Sequence, residues 1–145
     1  MTHDTTQLLD LLRAADGVLF PGADGGTLAA LLKRARAALQ LEPPDAYMDF
    51  LRQADGAMAD GLMLYGSRSQ TADGAELPDL VDINVTRRLY RSDPPSDLCL
   101  GEIDDDLIVF RKNECSYARM DRASGTCQLQ SPTLLGLVAQ AIGRP

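Results

Sequence analysis

The sequence predicts an α+β fold in which helices pack on one face of an antiparallel meander sheet of about five strands. Apolar residues recur at helical spacing in the first part of the chain, short strand-like runs alternate with turn residues in the last third, and one more helical stripe closes the chain. At 145 residues the chain has the length of one domain. We expect a single domain over 1–145, with an N-terminal helical extension over 1–42 and a core over 43–142.

Three helices are predicted before the first strand. Leucines at helical spacing indicate a short helix over Gln7–Ala15 and a longer one over Thr27–Leu39, with Thr27 as its cap. Pro44 opens the third helix, because its fixed φ suits a first-turn position. Asp55 and Gly56 are predicted to end it, since glycine can adopt the left-handed conformation that closes a helix.

The rest of the chain predicts the sheet and two further helices. Asp79 is the expected cap of a helix that runs through Leu89 or Tyr90, and Ser131 caps a closing helix that runs to Ile142. Between Gly66 and Pro78 the sequence predicts a polar loop. The predicted strands are Leu62–Tyr65, Leu98–Ile103, Leu107–Lys112, Ser116–Asp121 and Thr126–Gln130.

The charge balance favours a basic protein partner. With 21 acidic and 14 basic side chains the net charge is 14 − 21 = −7, and the pI is about 4.5. Such a chain is a poor nucleic-acid ligand, because phosphate binding needs concentrated Lys and Arg. Its basic clusters, at 33–36 and 87–91, are predicted to be solvated helix faces. No apolar run is long enough to span a membrane and no leader pattern is visible, so we expect a cytoplasmic protein.

Groups for catalysis are scarce. His3 is the sole histidine, which argues against Ser-His-Asp, Cys-His and two-histidine metal chemistry. Cys99, Cys115 and Cys127 match neither a disulfide framework nor paired zinc ligands, and each is predicted to be a small buried residue. We therefore expect no enzyme, no metal and no cofactor. A small enzyme using carboxylates or Cys99 remains the alternative.

The densest acidic cluster lies at the turn after Ile103. Its spacing lacks the glycine and the distal glutamate of a calcium loop. It is either an exposed, repulsive edge that discourages aggregation or a surface that binds lysines and arginines of a partner. The polar loop is a second candidate contact, because loops often carry function. The residues predicted to bind a partner are Glu102, Asp104, Asp105, Asp106, Asp73 and Glu76.

A motif around the third helix resembles the signature of the SUKH superfamily, and within it the YrhA-like branch. The motif consists of Pro44, Tyr47, Phe50, Leu51, Gly56, Tyr65 and Gly66. The segments 79–84 and 100–104 and the closing helix are similar to the family as well, so that the resemblance covers roughly residues 40–142. The motif residues have evident structural roles, since the aromatic side chains supply buried area and the glycines permit turns.

The resemblance implies a function that the residues alone do not. The superfamily includes bacterial immunity proteins and yeast cell-wall assembly regulators. It implies a non-catalytic module that binds and neutralises a cognate, basic polymorphic toxin, with the acidic turn against the active site of the toxin. The alternative that it implies is a regulatory or scaffold protein with an endogenous partner.

Overall fold

The structure, a computed structural model, describes residues 3–72, 74–90 and 94–142. These residues form five α-helices, one short 3-10 helix over Lys112–Glu114, and nine strands. The helices are α1 (His3–Ala14), α2 (Gly25–Leu39), α3 (Asp45–Gln53), α4 (Leu80–Tyr90) and α5 (Leu134–Ala141). The strands are β1 (Val18–Pro21), β2 (Ala54–Ala59), β3 (Leu62–Leu64), β4 (Gln70–Ala72), β5 (Ala75–Leu77), β6 (Asp97–Ile103), β7 (Asp106–Arg111), β8 (Ser116–Asp121) and β9 (Cys127–Ser131).

Seven strands form one antiparallel sheet in the order β1-β2-β3-β6-β7-β8-β9. Each strand lies beside the next in sequence, except that the β4–β5 hairpin and α4 are inserted between β3 and β6. The predicted combination of helices with an antiparallel meander is confirmed. The predicted strand number is wrong, because β1 and β2 extend the sheet beyond the five expected strands and the supposed polar loop contains a hairpin.

Residues 3–42 are part of the same core as the rest of the described chain. Strand β1 pairs with β2, with Val18 opposite Met58. Leu12 of α1 and Leu31 of α2 belong to the hydrophobic cluster that also contains Leu137 of α5. The predicted N-terminal extension over 1–42 is therefore neither purely helical nor separate from the core over 43–142.

The junction between α3 and β2 differs from the prediction. Helix α3 ends at Gln53 and β2 begins at the next residue, so that Asp55 and Gly56 lie in a strand. Gly56 has φ +99, and an added Cβ would lie 2.3 Å from Cδ2 of Leu77 in β5. A glycine at this position permits the positive φ and the close packing of β2 on β5, and it does not end a helix. Pro44 stands just before the helix, and its carbonyl oxygen accepts from the amide of Met48.

Two helix caps lie outside the predicted positions. The Asp24 carboxylate accepts from the Thr27 amide at 2.8 Å, so that α2 begins two residues before Thr27. Thr133 caps α5 through the amide of Gly136, whereas Ser131 closes β9. Both caps satisfy amides that have no partner within the helix. Among the residues that the structure describes, no helix has the length and apolar character that a membrane span requires.

The two faces of the sheet have different surroundings. Phe110 lies opposite Tyr117 on one face, and Tyr117 borders a small depression together with Leu8 of α1 and Leu134 of α5. Leu107 lies opposite Met120 on the other face. Because side chains alternate along a strand, Tyr117 and Leu107 lie on opposite faces of the sheet. Residues of α1 and α5 lie beside Tyr117, whereas residues of α4 lie beside Leu107.

Candidate functional site

Tyr47, the central residue of the family-like motif, joins α3 to the sheet. It is fully buried, and its hydroxyl donates to the carbonyl oxygens of Tyr65 and Leu100. Its ring packs against Phe50 with a centroid separation of 5.5 Å. Burial raises the pKa of Tyr47 well above its usual value, so the hydroxyl remains a donor. The role of Tyr47 is structural.

A second buried polar group holds the segment that contains the β4–β5 hairpin. Asp55 is 1% exposed and accepts from both the amide and the hydroxyl of Ser67, each at 2.7 Å. The side-chain amide of Gln70 donates to the Asp55 carbonyl oxygen at 2.7 Å. An added Cβ at Gly66 would lie 2.4 Å from that same oxygen, which explains a glycine at this position. The segment is thereby attached to the start of β2.

Arg34 attaches the same segment to α2 and α4. Its guanidinium lies 2.8 Å from the Asp79 carboxylate and also donates to the Ser67 carbonyl oxygen. The other carboxylate oxygen of Asp79 accepts from the amides of Val81 and Asp82, which confirms Asp79 as the cap of α4. Asp79 is buried, and a buried carboxylate needs a compensating charge, which Arg34 supplies. Arg34 is therefore not part of a solvated face.

The acidic turn after β6 is exposed and contacts a second turn. Asp104 and Asp105 are both exposed, and the Asp104 side chain has 71% of its surface accessible. The Asp104 amide donates to the carbonyl oxygen of Gly61, in the β2–β3 turn, at 3.1 Å. Asp60 is exposed in that turn. Three aspartates from two turns therefore lie at one end of the sheet.

A fourth aspartate comes from the α1–β1 connection. Asp16 is exposed, and the next residue, Gly17, packs closely enough that an added Cβ would lie 2.9 Å from Cβ of Ala59. We call Asp16, Asp60, Asp104 and Asp105 the acidic end. Asp16, Asp60 and Asp104 have positive φ, a conformation that aspartate tolerates better than most residues. Sequence reasoning missed Asp16 and Asp60, because only the strand order brings their turns beside Asp104.

Two of the predicted contact carboxylates are already engaged within the fold. Glu102 accepts from the Tyr65 hydroxyl at 2.7 Å and lies 3.4 Å from Arg122. Asp106 is 8% exposed and accepts from Nε of Arg119 at 2.6 Å. Their charges are balanced by neighbouring arginines. The exposed negative charge of the turn therefore comes from Asp105 and from Asp104, whose 71% exposed carboxylate lies 4.0 Å from Arg119.

The predicted residues of the polar loop do not join this group. Glu76 is exposed in β5, and the β4–β5 hairpin follows β3 at the end opposite the Asp60 turn. Asp73 lies outside the described residues. The structure thus places Glu76 and the acidic end at opposite ends of β3.

The three cysteines have different environments. Cys99 is buried, as predicted, but Cys115 and Cys127 are exposed, so that prediction is wrong for two of them. Cys115 lies after the 3-10 helix with positive φ, and Cys127 lies in the outermost strand. Burial raises the pKa of the Cys99 thiol to about 11, so the group is protonated at neutral pH. Over the described ranges, no three His, Cys, Asp or Glu side chains are arranged to hold a metal ion.

The thiol environments give a direct prediction. A disulfide reagent such as Ellman's reagent should titrate two thiols of the native protein promptly and the third in a much slower phase, and all three promptly after unfolding in guanidinium chloride. Because the thiolate is the reactive form, the slow phase should accelerate between pH 9 and about 11, where Cys99 ionises. The variant Cys99→Ala should lose only the slow phase. Prompt titration of three thiols in native buffer would show that Cys99 is accessible.

A cavity of about 280 Å³ opens on the sheet face that carries Leu107. Its apolar part consists of Leu107, Val109 and Met120 from β7 and β8, with Cys99 from the neighbouring β6. On one side α4 contributes Asn84, Arg87 and Arg88. Arg87 and Arg88 are half-buried, so they too depart from the predicted solvated face.

Asn84 fixes α4 against the sheet. Its side chain accepts from the Cys99 amide and donates to the Cys99 carbonyl oxygen, both at 2.8 Å. A neighbouring strand would form the same two bonds, but β3 ends before it reaches Cys99. The Asn84 side chain therefore takes the place of a strand at this point of β6. The position of the cavity wall is thereby set by one buried amide.

Comparison with known proteins leaves the family unassigned. No protein-family model matches the chain, and no curated protein matches it.

Proposed function

We propose that the chain is a non-catalytic protein-binding module with a SUKH-like fold, and that it acts in the cytoplasm as a bacterial immunity protein against a basic toxin. The observation that supports binding most directly is the acidic end, where three different turns present four exposed aspartates. The immunity role is inferred from the resemblance of the motif between Pro44 and Gly66 to the SUKH superfamily.

Electrostatics supports a basic partner. The whole chain has a net charge of −7, and the acidic end brings four of its carboxylates close together. Opposite charge accelerates encounter and selects partners, and these effects weaken as salt increases. A toxin whose active site carries lysines or arginines would be both attracted and covered by such a surface.

The nucleophilic and imidazole groups favour binding over catalysis. Cys99 is protonated at neutral pH, and the single histidine, His3, is the exposed first residue of α1. The remaining thiols, on Cys115 and Cys127, are exposed. The protein therefore acts by covering a surface of its partner and not by converting a substrate.

The decisive experiment combines binding with protection. The toxin domain encoded beside this gene would be co-expressed with the chain, and complex formation and cell survival would both be measured. The triple variant Asp60→Asn, Asp104→Asn and Asp105→Asn should lower the association rate at least tenfold at low salt, because three steering charges are removed. Adding salt should reduce the rate of the unchanged protein towards that of the variant.

A matched control separates local from overall charge. The triple variant Asp4→Asn, Asp10→Asn and Asp45→Asn changes the net charge by the same amount, at exposed positions of α1 and α3. It should bind the toxin nearly as fast as the unchanged protein. Equal losses in both triples would contradict a specific role for the acidic end. Glu76→Gln tests the second predicted contact separately.

The regulatory alternative has its own outcome. If the protein binds no neighbouring toxin and gives no protection, but the acidic-end triple loses a chromosomally encoded partner that the control triple retains, the module is regulatory. Failure of both tests would refute a binding role for this surface.

A further inference from the structure

Arginines are concentrated at the cavity beside α4. Three of the chain's arginines, Arg87, Arg88 and Arg111, line it together with two carboxylates, Asp97 and Asp121. The chain as a whole has a net charge of −7. Such a concentration of guanidinium groups in an acidic protein points to an anion.

The guanidinium groups are partly shielded from water. Nε and Nη2 of Arg87 and Nε of Arg111 are inaccessible to solvent. Arg111 lies 3.0 Å from Glu114 and 3.7 Å from Asp97. A charge in such a setting interacts more strongly with a bound anion than a charge in bulk water, because the surrounding dielectric is lower.

Arg88 is the arginine best prepared for a ligand. It donates to the carbonyl oxygens of Leu39, at 2.7 Å, and Pro95, at 2.9 Å. Carbonyl oxygens hold the guanidinium in place but do not neutralise its charge. A guanidinium has five N–H donors in a planar fork, which suits the two oxygens of a carboxylate.

The rest of the lining is apolar. Leu107, Val109 and Met120 contribute hydrocarbon and thioether surface, and Cys99 contributes a protonated thiol. Small-molecule sites typically combine such a surface with a few convergent polar groups. A volume of about 280 Å³ lies at the lower end of the range for such sites.

We propose that this cavity binds a small carboxylic acid with an apolar body, its carboxylate against Arg88 and its hydrocarbon part against Val109 and Met120. The site is separate from the acidic end and does not depend on the proposed toxin. It gives the protein a ligand of opposite charge to its proposed partner.

Ligands of matched size test this proposal on the unchanged protein. The probes are 4-phenylbutyrate, its neutral amide and the corresponding amine, titrated by calorimetry and by amide chemical shifts. The carboxylate should bind in roughly the millimolar range or tighter and at least tenfold more tightly than the amide, with shifts at Val109 and Met120. The amine should bind least. Equal binding of carboxylate and amide, preference for the amine, no saturable binding, or shifts confined to other surfaces would each refute the proposal.

Variants then locate the charge. Met120→Glu and Met120→Gln differ only in charge, so the first should weaken carboxylate binding at least tenfold more than the second. Arg88→Gln should reduce the ratio of carboxylate to amide affinity at least tenfold. Because the amide reports an intact cavity in the same sample, the ratio separates lost charge recognition from lost folding. An unchanged ratio in Arg88→Gln together with identical binding by the two Met120 variants would overturn the assignment.

Discussion

Replacing Gly101 by alanine is expected to lower the free energy of unfolding by about 3 kcal/mol. Gly101 lies in β6 opposite Leu64 of β3, and an added Cβ would be 2.1 Å from the carbonyl oxygen of Met63. That oxygen belongs to the backbone of a paired strand and cannot rotate away. The two strands must separate or β6 must shift, and either change disturbs the centre of the sheet. Urea denaturation measures the loss.

The effect of Gly101→Ala should not be a general effect of losing glycine. Gly25→Ala is the matched control, because Gly25 begins α2 and an added Cβ would meet no atom within 4 Å. Its free energy of unfolding should change by less than about 0.5 kcal/mol, and alanine favours the helix. Similar stabilities of the two variants would show that β3 and β6 do not approach as closely as described.

Gly101 also affects the cavity wall. The register of β6 against β7 shifts between Cys99 and Gly101, where Val109 and Ile108 are their partners. At this irregularity the Cys99 amide donates to the Asn84 side chain, and the Cys99 carbonyl oxygen accepts from it. A displaced β6 would therefore move α4 with its arginines, so that Gly101→Ala should weaken 4-phenylbutyrate binding as well as stability.

Regular local patterns were enough to predict part of the fold. Strand β8 has the predicted bounds, Ser116–Asp121, because its polar and apolar residues lie between clear turn residues. Asp79 and α4 follow from the capping preference of aspartate. Both predictions depend only on neighbours in the sequence.

The missed elements depend on distant partners. β1 has four residues including Pro21, and the β4–β5 hairpin has Thr71 as its one β-branched residue in the two strands, the others being alanine, glutamine, glutamate and leucine. β1 exists because β2 supplies its hydrogen bonds, and the hairpin because Asp55 and Arg34 hold its base. No window of sequence around these strands contains that information.

The candidate site shows the same limit. Asp104 and Asp105 were recognised as a cluster because they are adjacent in sequence. Asp16 and Asp60 join them only through the order of β1, β2, β3 and β6. Arg87 and Arg88 have the sequence pattern of an exposed helix face, and it is the attachment of Asn84 to β6 that brings them to a cavity. A cluster of charges in the sequence therefore identifies only neighbouring residues, whereas the topology of the sheet decides which distant charges lie together.

Removing the buried carboxylate of Asp55 is expected to cost about 3 kcal/mol of stability. Asp55→Ala leaves the amide and hydroxyl of Ser67 without their acceptor in a buried site, where Ser67 is 3% exposed. The segment between β3 and β4 should open more often. Trypsin measures this locally, because Arg68 follows Ser67 and its side chain is 68% exposed. Cleavage after Arg68 should be at least tenfold faster if about 1.4 kcal/mol of local stability is lost.

Asp10→Ala provides the comparison for a carboxylate on the surface. Asp10 has a 69% exposed side chain and lies 3.5 Å from Arg13 within α1, and such pairs contribute about 0–1 kcal/mol. The control should therefore change neither the unfolding midpoint by much nor the cleavage rate after Arg68. If Asp55→Ala behaved like Asp10→Ala in both measurements, the hairpin segment would have to be held by Arg34, Asp79 and the bond from Gln70 to the Asp55 carbonyl oxygen. Arg34→Gln should then produce the fast cleavage that Asp55→Ala does not.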